Sequence, residues 1–432
     1  MKIFKLNKEK IFRFWKPVFQ RMFITIQFFD KKGLANHAAG GAYGFLLSAA
    51  PTLLLAAVFL LLAFRSSPQA VSNLIQRDIP FLQIIFNEDW MTRNIIRISR
   101  FGIPAIISLL SLIWAGGVFA RTVQQGLKVI FTGKKNRNPV QQNLISLLIQ
   151  FVVLLFAIGL IISSQTALFI LNSMNSVPEF INNIFAVLRL HFFPFAVLMF
   201  ITYSAYRIIP ANPPRRISAL RGALFCIIPY GITSLLLQFI ISKTRYNFLY
   251  GALSDVIILM VSVYFFFIFF FLGAQLTKVI DSIDMLLFSN LFSVRREKES
   301  THNGFRKRLF YYPDGPLAKY LRHYTGGEII IRKGDTGDDT FFLLEGKVRV
   351  LFHNPGEDEK SMPILGAGVF FGEMGHLLSM KRVATIRAIT DISVLALPNE
   401  LFDEALNNDI DIDRMVIKNL TLRLKAANEG KA

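Results

Sequence analysis

The 432-residue chain is 53% hydrophobic, contains 43 Phe and carries a formal net charge of +19. The charge is unevenly spread: residues 1–300 hold 30 Lys/Arg against 11 Asp/Glu, whereas residues 301–432 hold 18 of each. A basic surplus confined to the apolar part is the composition of a membrane protein facing anionic lipid, and it argues against nucleic acid as a partner, which would need one continuous basic face.

In chain order, residues 1–32 form a basic segment with nine Lys/Arg and two acids. Within it, 11–29 mixes aromatics with Lys and Arg around Pro17 and reads as an interfacial helix on the inner leaflet. No cleavable signal peptide is expected, and the first long apolar run reads as a signal anchor. About 20 apolar residues cross a bilayer as a helix. Six stretches qualify: 38–64, 102–120, 144–171, 190–209, 221–241 and 253–276. Loop 121–142 carries five basic residues and no acid, and loop 207–221 carries Arg207, Arg215, Arg216 and Arg221 and no acid. Lys278, Arg295, Arg296 and Lys298 follow the sixth stretch, while 172–189 and 242–252 are poorer in charge. The 65–101 loop is mixed. Its apolar patch, Phe81 to Phe86 with Trp90, reads equally as a re-entrant or interfacial helix or as a plain amphipathic loop. The positive-inside rule then places both termini in the cytoplasm, as an even number of spans requires. The single cysteine, Cys226, allows no internal disulfide and no cysteine zinc site.

From about residue 297 the texture changes. REKESTHNGFRKR is polar and reads as a linker, assigned to 281–310. Beyond it, short apolar runs at Ile329–Arg332, Thr340–Glu345 and Lys347–Phe352 are punctuated by Gly334-Asp335, Gly337-Asp338 and Gly346. This predicts a tightly turned β-roll over 311–428, ending in helices at 398–407 and 410–427. The expected fold class is thus an α-helical polytopic membrane domain of six transmembrane helices over 33–280, followed by a C-terminal β-roll with flanking helices.

Residues 366–390, GAGVFFGEMGHLLSMKRVATIRAIT, resemble the phosphate-binding cassette of cyclic-nucleotide-binding domains. Phe371, Gly372, Glu373, Gly375, Leu377, Leu378, Arg382, Ala384 and Thr385 fit that pattern, and the likeness runs over about 310–427. The resemblance implies a cyclic nucleotide held by Gly372, Glu373, Met374, Arg382, Val383 and Ala384. Arg382 would grip the exocyclic phosphate as a forked cationic donor. Glu373 would accept from the ribose 2′-hydroxyl, and Gly372 would let the backbone approach, opening a short helix whose free N–H groups favour an anion. The competing reading is a structural Glu373–Arg382 salt bridge. Ser379 stands where many members have Gly, Lys381 where Pro is common, and His376 where Leu is typical. Val383, in place of a Thr frequent in members that favour cyclic GMP, points to cyclic AMP. The last helix would act as a lid; Arg423 and Lys425 read more readily as solvated surface residues than as ligand contacts.

Three motifs in the apolar part resemble the BrkB/YihY family of bacterial inner-membrane proteins over about 20–280. They are AAGGAYGFLLSAAPTLLL at 38–55, Tyr206 to Pro210 with Arg221 to Leu224, and YGALSDVIILMVSVYFFFIFFFLGAQL at 250–276. Gln275 stands where that family usually has Glu. The resemblance implies fold and location more than activity. Carboxylates and histidines are scattered, with His37 and His191 far apart, so no catalytic residue, metal site or enzyme is expected. The intramembrane polar residues Gln150, Ser163, Ser164, Gln165, Gln238, Asp255 and Gln275 either line a path or bond helices together. Pro51, Pro104, Pro194 and Pro229 are expected to kink helices.

The expected function is a bacterial inner-membrane protein, transporter- or permease-like, without a cofactor and regulated by cyclic AMP, less readily by cyclic GMP. The alternatives are a cyclic-nucleotide-gated ion channel, which here lacks a TVGYG-like filter, and a non-transporting scaffold. Its partners would be the bilayer and the nucleotide, with homo-oligomerisation left open.

Overall fold

The computed structural model describes residues 2–64, 103–132, 138–149, 151–152, 155, 193–243, 252–296, 304–351 and 364–429. The chain packs as two compact units, Thr25–Asp281 and Met1–Ile24 with Ser282–Ala432. The long helix α1, Lys2–Lys31, contributes to both.

The Thr25–Asp281 unit is helical. It contains α2 (Leu34–Phe64), α3 (Ile103–Ile130), α4 (Phe193–Ile208), α5 (Arg216–Lys243) and α6 (Ala252–Asp281), with a further helical stretch at 139–149. Among the described residues, two helices, over Arg216–Leu237 and Ile257–Asp281, are long and apolar enough to cross a membrane. The other expected spans lie wholly or partly outside the fully described residues. So do the 65–101 loop and the side chains of Pro51, Pro104, Gln150, Ser163, Ser164, Gln165, His191, Pro194, Gln238 and Asp255.

Helix α5 turns most of its large apolar side chains outward. Among its buried positions Ala219, Ala223 and Cys226 are small and Ile227 is large, while Ile228, Ile232, Leu235, Leu236 and Phe239 are exposed. Large apolar side chains facing outward and small ones facing inward are what a hydrocarbon solvent permits, because lipid does not drive Leu and Phe to the interior. Two of the three motifs, Tyr206 to Pro210 with Arg221 to Leu224 and the stretch 250–276, meet at one crossing. A methyl group on Gly222 of α5 would fall 2.5 Å from the Gly273 carbonyl oxygen of α6, and one on Gly273 would fall 2.6 Å from the Gly222 carbonyl oxygen. The Tyr206 hydroxyl of α4 donates to the Phe270 carbonyl beside this crossing. Gln275 is buried one residue past Ala274. Pro229 sits within α5, which continues through it.

The second unit begins with α7, Ile283–Arg296, and α8, Gly304–Phe310, which occupy the stretch expected as a linker. A short 3-10 turn, Gly315–Tyr320, leads into the strands. These are β1 (Leu321–Tyr324), β2 (Ile329–Ile331), β3 (Asp339–Glu345), β4 (Lys347–Leu351), β5 (Ile364–Gly366), β6 (Phe370–Phe371), β7 (Thr385–Ala388) and β8 (Ile392–Pro398). They form two four-stranded antiparallel sheets, ordered β1-β8-β3-β6 and β2-β7-β4-β5. Between β6 and β7 lies α9, Glu373–Leu377, and α10 (Asn399–Asn408) and α11 (Ile410–Glu429) close the unit.

Strand β3 shows why this stretch folds as it does. Alternate side chains point to opposite faces. Phe341 and Leu343 enter the roll interior with Val348, Phe371, Ile386 and Val394. Phe342 faces the helices, 5.6 Å from Phe288 and 5.8 Å from Phe292 of α7, and Phe370 lies 5.5 Å from Phe402 of α10. Both faces are covered, so the strand is a continuous apolar run and does not alternate with polar residues. The face of α1 that carries Lys16, Gln20 and Ile24 is buried. Lys16 pairs with Asp314, Gln20 donates to the Leu309 carbonyl at 2.8 Å, and Phe23 lies 5.6 Å from Phe310. Trp15, Val18 and Phe19 remain on the outer side of the helix.

Candidate nucleotide-binding site

The site forms where β6 ends. Gly372 has φ of 80°, a left-handed conformation that costs a residue with a Cβ roughly 1–2 kcal/mol, and it caps the five-residue α9. The turn directs Glu373 inward, where it is 1% exposed. After α9 the chain reverses at Ser379, whose φ is 51°. This explains the glycine preference that the sequence comparison attaches to the position. The reversal is fastened by Leu378 N–H to the Met374 carbonyl at 3.0 Å and Met380 N–H to the Gly375 carbonyl at 2.9 Å.

Arg382 is brought back over the start of α9 and is 7% exposed. Its guanidinium donates to the Gly372 carbonyl through Nη1 and to the Asp339 carbonyl at 2.7 Å through Nη2. Its backbone is held by the turn before β3. Gly334 N–H donates to the Arg382 carbonyl at 2.8 Å, and Arg382 N–H to the Asp335 carbonyl at 3.0 Å. Gly337 is needed there because a methyl group on it would lie 2.8 Å from Arg382 Nη2. Burial pushes the Arg382 guanidinium below its ordinary value, and the carboxylates of Asp339, Asp338, Glu373 and Asp335 push back. A buried cation surrounded by acids, anchored through carbonyls, is held charged in one place.

The structure thus brings Gly372, Glu373, Met374 and Arg382 together, with Val383 and Ala384 directly after the arginine. Val383 is 37% exposed and Ala384 is buried. His376 is turned away from the cassette toward α10, where its Nε2 lies 2.7 Å from Asp403 Oδ1. The side chains of Arg423 and Lys425 lie outside the described residues. Sequence reasoning missed the turn 334–339 as part of the site. Its run of Gly and Asp read only as β-turn punctuation.

Comparison with known proteins divides the chain at nearly the same place. The family Virulence factor BrkB matches residues 25–285, and the family Cyclic nucleotide-binding domain matches residues 321–409. A cyclic nucleotide-gated potassium channel of Mesorhizobium japonicum is 36% identical over 113 residues, which is 26% of this chain and 30% of the channel. The cyclic AMP receptor protein of Thermus thermophilus is 37% identical over 79 residues, 18% of this chain and 37% of the receptor. The human cGMP-dependent protein kinase 2 is 32% identical over 106 residues, 24% of this chain and 13% of the kinase. The chain therefore spans well under half the length of these curated relatives. Among solved structures, the Thermus thermophilus catabolite activator protein is 28% identical with a TM-score of 0.24, covering 26% of this chain and 55% of that one.

Proposed function

We infer, from the premise that this chain belongs to the Virulence factor BrkB membrane family and carries a cyclic nucleotide-binding domain, that it is a ligand-regulated inner-membrane protein. In this reading the membrane unit crosses the bilayer six times with both termini cytoplasmic, and it acts as a transporter or permease. Cyclic AMP bound at the Glu373–Arg382 site biases its state, and no step of the cycle is enzymatic. The observation that carries the reading is Arg382, buried, charged and held by carbonyls next to Gly372, with Glu373 inside the same turn. An anionic cyclic phosphate reaching this arginine would replace carbonyl acceptors with charged ones and gain stronger hydrogen bonds. A ligand shifts a two-state membrane unit only by its differential affinity for the two states, so flux and binding must be linked.

Calorimetry on the purified full chain tests the sensor. Cyclic AMP is expected to bind more tightly than cyclic GMP, because Val383 lacks a hydroxyl. Arg382→Gln is expected to weaken binding about 30- to 100-fold, the equivalent of ~2–3 kcal/mol. Unchanged affinity in that variant would overturn the reading. Flux from proteoliposomes with and without cyclic AMP tests the regulated activity.

A second reading, a nucleotide-gated channel, is favoured by the similarity to the Mesorhizobium channel. That similarity covers 26% of this chain, a span the size of the sensor. Single-channel recording in planar bilayers separates the two: discrete cyclic-nucleotide-dependent openings would favour the channel.

A further inference from the structure

The Thr25–Asp281 unit encloses a cavity of about 560 Å3, within the roughly 300–1,000 Å3 typical of sites that enclose an organic ligand. Its wall is built largely of rings from several helices, among them Phe45, Phe119, Phe195, Tyr230, Phe266 and Phe267. They form a connected set: Phe119 lies 5.9 Å from Phe267, and Tyr230 lies 5.2 Å from Phe266. Among the described residues the polar lining is limited to hydroxyls such as Thr202, Ser204 and Ser234, and none of the lining residues is charged. A charged or heavily hydroxylated solute would be stripped of water there without compensation. The ligand this wall suits is a hydrocarbon chain.

Two further observations say where the chain comes from. Phe200 and Ile208 line the cavity and are also 68% and 47% exposed, so the wall opens on the outward face of α4. In a membrane-family protein that face meets lipid. The lining runs through Ile208 and Ile209, directly after Arg207, where a loop with four arginines and no acid of its own begins; Arg207 donates to the Pro214 carbonyl and Arg215 pairs with Asp281 at 3.8 Å, while Arg216 and Arg221 are exposed. A basic rim beside an apolar cavity complements an amphiphile with an anionic head.

We propose that this cavity receives one acyl chain of an anionic bilayer phospholipid, entering past Phe200 and Ile208 with the headgroup at the Arg207 end. The inference rests on the membrane reading of this unit and not on transport. A silent flux assay would leave it standing, since its readout is occupancy.

The full chain in nanodiscs is labelled with a phosphatidylglycerol that carries a diazirine at mid-chain, and the labelled residues are mapped by mass spectrometry. Label is expected within Thr202–Ile209 and Val263–Phe270, besides annular label at the outward residues Leu235, Leu236 and Phe239. Ser204→Phe and Ser234→Phe, which fill the cavity from α4 and α5 respectively, are each expected to cut the interior label about tenfold, the equivalent of ~1.4 kcal/mol. Annular label is expected to stay. A competition arm needs no variant: unlabelled phosphatidylglycerol should displace interior label more effectively than phosphatidylcholine of the same chain length. Label confined to the annular residues would overturn the site. Equal displacement by the two lipids would overturn the anionic headgroup. Interior label untouched by either filling variant would overturn the assignment of the chain to this cavity.

Discussion

Ser379 holds φ at 51° without being glycine, at the reversal that returns Arg382 to the cassette. A side chain there costs roughly 1 kcal/mol, and glycine removes that cost at the expense of some unfolded-state entropy. Ser379→Gly is therefore expected to stabilise the 373–385 segment by about 0.5 kcal/mol, measured as slower amide exchange of those residues. Lys32 gives a second residue-level prediction. Burial and, secondarily, Lys278 push its ammonium down to about 8, while its Nζ reaches the Ile130 carbonyl at 3.4 Å. An unfolded chain holds that proton up to the ordinary lysine range near 10.4. Between about pH 8 and that range the unfolded state binds more protons, so stability rises with pH. Thermal unfolding in detergent should show this rise, and Lys32→Met should flatten it. Gly372, Glu373 and Arg382 were marked in the sequence by resemblance to the cassette pattern, and the structure brings them into one turn. Asp335, Asp338 and Gly337 were not so marked. They reach Arg382 across more than forty residues of chain, and only the roll closes that distance. His376 could not be placed either, since its partner Asp403 sits on a separate helix.

At the level of elements, β2, β3 and β4 fall within a residue of the three apolar runs that glycines bracket in the sequence, because turns punctuate them sharply. Helix α7 was not legible as part of the same unit. It follows the apolar α6 after a single residue, and its Phe288 and Phe292 find their purpose only against Phe342 and Phe370. The three family-like motifs of the apolar part were visible as words without meaning. The second and third meet at a crossing, where Tyr206, Gly222 and Gly273 let α4, α5 and α6 approach at backbone distance, while Gly41 and Gly44 of the first motif make room for Phe267 and the Phe119 backbone. Interfaces of this kind depend on small residues. Gly222→Val is expected to separate α5 from α6 and cost roughly 2–3 kcal/mol through overpacking. A lowered unfolding midpoint in detergent, with cyclic-nucleotide affinity unchanged, would show that the damage stays in the membrane unit.

At the level of the whole molecule, composition alone separated a basic apolar portion from a neutral polar one, and apart from α7 the packing units follow that division with one exception. The exception is the first 24 residues, which go with Ser282–Ala432. Lys16, Gln20 and Phe23 pack against residues 309–314. Phe23→Ala should lower the stability of the nucleotide-binding unit by about 2 kcal/mol, read as an earlier thermal transition in the presence of cyclic AMP. A sequence scan sees a basic aromatic helix beside a membrane domain and has no signal that its buried face belongs elsewhere.

That exception bears on how the protein is made. Residues 1–24 are translated before the membrane unit, and their partners at 309–314 after every residue of it. The nucleotide-binding unit therefore completes its packing with a helix made long before it. The face of that helix carrying Lys16, Gln20 and Phe23 has no partner from 309–314 until the last part of the chain is made. A chain stalled during insertion would keep that face open, so the closing of this contact marks a chain whose membrane portion has been completed.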